Sequence, residues 1–138
     1  MARLYLELIT PERIMVSQEV DSVVAPGSLG QFGILPGHAP FLTGIVPGEF
    51  RYESEGKSVR MAVTYGFLEV SHNKVSILVD AAEREEEIDV ERARKALQRA
   101  KERLSKGRGA PDIDYERAEA ALRRAIARLK VAGRDIQA

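Results

Sequence analysis

The sequence predicts a chain of the β + α class. An antiparallel β-sandwich or barrel of about eight to ten strands spans residues 1–84, and an antiparallel two-helix hairpin follows over residues 85–138. Three observations carry this expectation. Apolar and polar residues alternate with a period of two in the first part, turn-forming clusters interrupt that part repeatedly, and the second part holds an internal repeat with helical spacing.

The strands come first. In RLYLELI, Leu4, Leu6 and Leu8 alternate with Arg3, Tyr5 and Glu7, which gives one apolar face. In SVRMAVTYG, Val59, Met61, Val63 and Tyr65 stand opposite Arg60, Ala62 and Thr64; in VSILVD, Val75, Ile77 and Val79 repeat the device. Turns are expected at Thr10-Pro11-Glu12, Pro26-Gly27-Ser28, Pro47-Gly48, Glu55-Gly56-Lys57 and His72-Asn73-Lys74. At DAAEREEEID, residues 80–89, the pattern changes to helix, and EREEE at 83–87 reads as a solvated, charged linker.

The helices are announced by duplication. IDVERARKALQRAKERL, from Ile88, returns as IDYERAEAALRRAIARL, from Ile113, with eleven of 17 aligned positions identical. Each copy opens on an aspartate, Asp89 or Asp114, suited to cap the free N–H groups of a first turn. Val90, Ala93, Leu97, Ala100 and Leu104 form one apolar stripe, and Tyr115, Ala118, Leu122, Ala125 and Leu129 form its copy. Gly107, Gly109 and Pro111 in the connecting SKGRGAPD stop the first helix and turn the chain. An alanine-rich seam buries little area per residue, so this hairpin is expected to detach or re-dock at modest cost.

Composition narrows the function. Of 138 residues, 44% are apolar, enough for a packed core, and 21 basic side chains balance 21 acidic ones. That balance argues against a nucleic-acid or lipid partner. Residues 1–84 carry 7 basic and 10 acidic side chains; the remaining 14 and 11 lie in residues 85–138, so the two parts present different surfaces. The absence of cysteine excludes a disulfide framework, and no apolar run reaches the roughly 18 residues of a spanning helix, which together predict a cytosolic chain. Two histidines, His38 and His72, are too few for a histidine metal cluster, and EREEE lacks the ligand alternation and glycine of a calcium loop. With neither a nucleophile elbow nor a phosphate loop, no catalytic residue is expected.

Two features remain. In GILPGHAPFLTG, residues 33–44, prolines and glycines stiffen a loop rich in Ile34, Leu35, Phe41 and Leu42, which either pack beneath it or face another protein. Arg92 and Arg99 share a face of the first helix, as Arg124 and Arg128 share one of the second. Convergence of these faces would suit a triphosphate, whereas a solvated flank would pair them with Glu91, Glu102 and Glu116.

GQFGILPGHAPFLTG, YGFLEVSHNKVSIL and AAEREEEIDVERARKAL, in that order, resemble the epsilon subunit of the bacterial rotary F-type ATP synthase over essentially the whole chain. The resemblance implies a non-catalytic subunit of the central rotor stalk, peripheral on the cytoplasmic side of the inner membrane and joined to it only through the complex. It implies binding to the gamma subunit and the c-subunit ring, coupling of proton flow to ATP synthesis, and restraint of ATP hydrolysis by the hairpin meeting the alpha and beta catalytic subunits. A ring contact is implied at Gln31, Phe32, Pro36 and His38, with Gln31 where related sequences often carry Glu. No cofactor is required, but ATP is implied as a regulatory ligand of Glu83, Ile88, Asp89, Arg92, Ala93, Arg99, Arg124 and Arg128. Ile113, Asp114, Arg117 and Ala118 repeat the short motif, so it is partly a helix-start signature. The competing reading is a free-standing nucleotide-binding sensor, which would use the arginines but not the apolar loop.

Overall fold

In the computed structural model, which describes residues 3–133, the alternation seen in the sequence becomes a single folded-over sheet. Its strands are β1 (Leu4–Ile9), β2 (Ile14–Val20), β3 (Ser22–Gly27), β4 (Gly30–Ile34), β5 (Phe41–Ile45), β6 (Gly48–Ser54), β7 (Lys57–Val63), β8 (Gly66–Ser71), β9 (Lys74–Val79) and β10 (Ala82–Arg84). The hydrogen-bonded order is β10-β7-β6-β3-β5-β8-β9-β1-β2, with β4 folded back on β3. Leu4, Leu6 and Leu8 of β1 and Val75 and Ile77 of β9 are fully buried, together with Phe50, Met61 and Leu68, so the alternating face is the core.

The expected antiparallel sandwich is present, with one parallel pair inside it: Leu6 of β1 lies opposite Val75 of β9 and Leu8 opposite Ile77. The first strand enters between β9 and β2, far along the chain from β9, so no hairpin sets their relative direction. Side chains draw the two ends of the sheet together. Arg84 of β10 donates to the Met15 carbonyl of β2, and Ser54 of β6 and Arg3 both donate to the Glu19 carbonyl. Carbonyls on an edge strand that would otherwise template another chain are thereby engaged.

Three local expectations shift. Tyr65, placed by alternation on the buried face, is exposed because β7 ends at Val63 and the chain crosses to β8, held by Thr64 N–H to the Ala81 carbonyl and Asp80 N–H to the Tyr65 carbonyl. The turn after β3 falls at Ser28 and Leu29, since Pro26 and Gly27 still pair with Gln31 and Gly30. The segment 83–87 is not a free linker. Glu83 and Arg84 form β10 against β7, and a 3₁₀ turn (Glu85–Glu87) follows, stapled by Arg13 to Glu87 at 2.8 Å and by Arg84 N–H to the Glu87 carboxylate at 2.9 Å. These two contacts hold the Glu87 carboxyl below its ordinary value, the backbone N–H of Arg84 contributing most and Arg13 next.

The hairpin comprises α1 (Val90–Ser105) and α2 (Tyr115–Val131). Asp89 and Asp114 cap them as expected, each accepting at 3.1 Å from the N–H three residues on, Arg92 and Arg117 respectively. Ala93, Leu97, Ala125 and Leu129 form the buried seam, with Val90 and Leu122 beside them. α2 also packs against β6 and β7, through a second face carrying buried Ala127 and Val131. Counting back 25 positions gives Glu102 in α1 and Lys106 at its C-terminal cap, both exposed. The two copies share a seam, and α2 carries small or apolar residues at these two positions where α1 carries charged ones.

Candidate functional site

The proline and glycine loop connects β4 to β5. Ile34 is fully buried, while Leu35 and Leu42 are 64% and 66% exposed, so the loop divides its apolar residues between anchor and display. Phe32 meets Phe41 edge-on with ring centres 5.5 Å apart, and the His38 ring leans on Phe41 at 5.7 Å. The loop is pinned by His38 N–H to the Leu35 carbonyl at 3.1 Å, by His38 Nδ1 against the Ala39 carbonyl at 2.7 Å, and by Gly37 N–H to Asn73 Oδ1 at 2.7 Å. Gln31 is exposed and Phe32 half-buried on β4 beside this loop, and Pro36 and His38 are half-buried in it. A cleft of about 270 Å³ links Gln31 with Gly48, Glu49 and Lys130 of α2.

Next to the loop lies a surface that the strand reading passed over. Phe67 of β8 is 64% exposed and Leu78 of β9 54%; they face each other across the two strands, with Ile9 of β1 opposite Leu78 on the other side. Ile9, Pro11, Phe67 and Leu78 line a shallow apolar depression of about 310 Å³. Leu42 lies diagonally across from Phe67, since it pairs with Glu69 on the same outward face. Gly66 allows the strands to approach there: a Cβ would lie 1.9 Å from the Leu78 carbonyl oxygen. A signal for Phe67 and Leu78 was available in the sequence, for both are large apolar residues at the outward phase of an otherwise regular alternation.

On the hairpin side, Glu83, Arg124 and Arg128 are brought together. Arg128 Nε lies 2.5 Å from Glu83 Oε1, and all three line a cavity of only about 20 Å³ with Ala62, Thr64 and Ala82. Ala93 is fully buried in the seam, Ile88 is half-buried before α1, and Asp89 is engaged as its cap. Arg92 and Arg99 are exposed on α1 and do not line the small cavity that holds Arg124 and Arg128. Glu91 pairs with Arg94 at 3.1 Å. A residue that the alternation places simply on the outward face of its strand ties the hairpin down: Arg60 of β7 donates to the Val131 carbonyl at the end of α2 and approaches Glu49 at 3.3 Å and Glu85 at 3.7 Å. Among the described residues no group of His, Asp and Glu is arranged to hold a metal ion, and no helix is long and apolar enough to cross a membrane.

The fold is a sandwich with a displayed apolar face and a helical hairpin packed on β6 and β7, and comparison with known proteins gives its class. Residues 3–85 match the family model for the ATP synthase delta/epsilon chain β-sandwich domain, and residues 86–133 match that for its long α-helix domain. The chain is 56% identical to the ATP synthase epsilon chain of Carboxydothermus hydrogenoformans over 104 residues, covering 75% of this chain and 78% of that one. It is 48% identical to the epsilon chain of Citrifermentans bemidjiense over 132 residues, covering 96% and 95%. Among solved structures, the mitochondrial ATP synthase of Euglena gracilis, determined with its c-ring, contains a chain of similar fold: TM-score 0.82, 27% identity, with 96% of this chain and 82% of that one covered. The chain therefore belongs to the ATP synthase delta/epsilon family, among its epsilon subunits.

Proposed function

We propose that the chain is a non-catalytic central-stalk subunit whose sandwich binds the gamma subunit through the outward row of Ile9, Phe67 and Leu78 with Leu42, and meets the c-subunit ring through the β4–β5 loop. One observation carries this reading: three large apolar residues, Leu42, Phe67 and Leu78, are displayed, with half-buried Ile9 at their margin, beside a loop stiffened by proline, glycine and three hydrogen bonds to or from its backbone. Such a surface loses little conformational entropy on docking and gains by leaving water. A free-standing nucleotide sensor has no use for it. Pro36, His38 and Gln31 make the ring contact, Gln31 by hydrogen bond. In this role the subunit couples proton flow to ATP synthesis as a peripheral component on the cytoplasmic side of the bacterial inner membrane.

The hairpin supplies the regulation. Its docked posture is held by the packing of α2 on β6 and β7 and by two polar contacts, Glu83 with Arg128 and Arg60 with Val131, and it restrains ATP hydrolysis when it leaves the sandwich and reaches the alpha and beta catalytic subunits. ATP, taken up near Ile88 and Asp89 with its phosphates toward Arg92, Arg99, Arg124 and Arg128, favours the docked posture. In the docked arrangement Glu83 occupies Arg128, so nucleotide binding requires that pair to open or rearrange. A ligand shifts the two postures only by its difference in affinity for them.

The test is reconstitution. Phe67→Glu with Leu78→Glu leaves the core untouched, since both side chains are exposed, and the variant chain is expected to lose co-purification with the gamma subunit. Retained association overturns the stalk reading. Deleting residues 88–138 is expected to raise hydrolysis by the assembled complex; unchanged hydrolysis across ATP concentrations removes the regulatory hairpin. Calorimetry of the full chain with ATP decides the nucleotide role, and no heat at millimolar ATP removes it.

A further inference from the structure

We infer that Asn73 is the positioning residue of the docking loop, holding its tip at one fixed height over the end of the sandwich. This rests on the reading of that loop as the ring contact. The observation is a mismatch between residue and turn. β8 and β9 are joined by two residues, His72 and Asn73, with Ser71 paired to Lys74, and both have positive φ, 50° and 61°. Tight hairpins with two left-handed residues favour glycine at the second position, which bears no strain there. Asparagine tolerates the conformation less well than glycine, but it brings a side chain.

That side chain reaches across 36 positions of sequence. Asn73 Oδ1 accepts the Gly37 N–H at 2.7 Å, at the residue where the loop itself turns left-handed with φ of 88°. The carbonyl of the same Asn73 accepts the Tyr5 N–H at 2.8 Å, so one residue fastens the loop both to the β8–β9 turn and to β1. The loop's other bonds, between His38 and the Leu35 and Ala39 carbonyls, lie within it and fix its shape without fixing its place. Asn73 is therefore a tether from the loop tip to the two strands whose outward face carries Phe67 and Leu78, and it keeps both parts of the docking surface in one frame.

Two substitutions in the full chain separate tether from turn. Asn73→Gly removes the acceptor and suits the turn; Asn73→Asp keeps an acceptor. In Asn73→Gly the melting temperature is expected to hold or rise, while amide exchange at Gly37 quickens roughly three- to tenfold, the population change that one neutral hydrogen bond controls. Affinity for a synthase assembly stripped of this subunit, carrying stalk and ring, falls by a similar factor, and Asn73→Asp restores both. Unchanged Gly37 exchange in Asn73→Gly overturns the tether, as does quickened exchange with unchanged affinity when Gln31→Ala and His38→Ala weaken binding. If none of the three weakens binding, the ring reading falls and the inference falls with it.

Discussion

Because α1 and α2 are near-copies, the residues that dock α2 on the sandwich can be exchanged for those that leave α1 in water. Ala127→Glu with Val131→Lys gives α2 the side chains found at Glu102 and Lys106. Val131 is fully buried and Ala127 nearly so. Removing valine burial alone forfeits about 1.5–3 kcal/mol, and setting a charge without a partner in its place adds about 1–3 kcal/mol more. A combined loss of about 3 kcal/mol or more lowers the docked population by roughly a hundredfold or more. Neither substitution touches the seam of Ala93, Leu97, Ala125 and Leu129, so the hairpin should leave the sandwich as a pair of helices. The chain has no cysteine, so spin labels can be placed singly at exposed Lys57 of β7 and Lys95 of α1 through engineered cysteines. Pulsed dipolar spectroscopy should give one narrow distance for the parent and a broad, longer distribution for the double variant, with the sandwich melting unchanged. A narrow distribution in both would refute the account of docking by divergent repeat positions.

Other consequences follow from single contacts. Arg60→Gln removes the charge that engages the Val131 carbonyl, Glu49 and Glu85, and should shift the same distance distribution toward the undocked form while Arg60→Lys preserves part of the contact; an identical distribution for all three chains contradicts the latch. Asp114→Ala and Asp89→Ala should each cost about 1 kcal/mol in their own helix, seen as faster amide exchange in its first turns. Glu87 has a lowered folded-state value, so its staple to Arg13 and Arg84 stabilises fully above the ordinary carboxyl value of 4.5 and is lost as pH falls through the folded value. Acid unfolding of Glu87→Gln should accordingly show a weaker pH dependence below 4.5 than the parent, and matching curves would remove the staple from the acid response.

Much of this was legible in the sequence because two simple periods carried it. The period of two placed Leu4, Leu6, Leu8, Val75 and Ile77 in the core, and the duplicated stripe with its aspartate caps placed both helices. What escaped depends on partners far apart in the chain. Glu83 and Arg84 read as linker because their neighbours, charged residues at 85–87, dominate any local window; strand β10 exists because β7 offers an edge. Asn73 looked like ordinary turn chemistry, since its target, Gly37, lies 36 residues away. Arg60 alternates as a surface residue should, and only the fold shows that α2 ends over it. Helical spacing groups the four arginines by helix, but it does not show Glu83, which joins Arg124 and Arg128 at one small cavity from a strand 40 or more residues earlier.

The most direct test of the docking account is hydrogen exchange of the full chain, free and then assembled in the synthase. Slowed exchange is expected at Gly37, His38 and Phe41 and along β8 and β9 around Phe67 and Leu78, with the solvent-facing residues of β2 near Gln18 unchanged. Uniform exchange across these strands before and after assembly would contradict it.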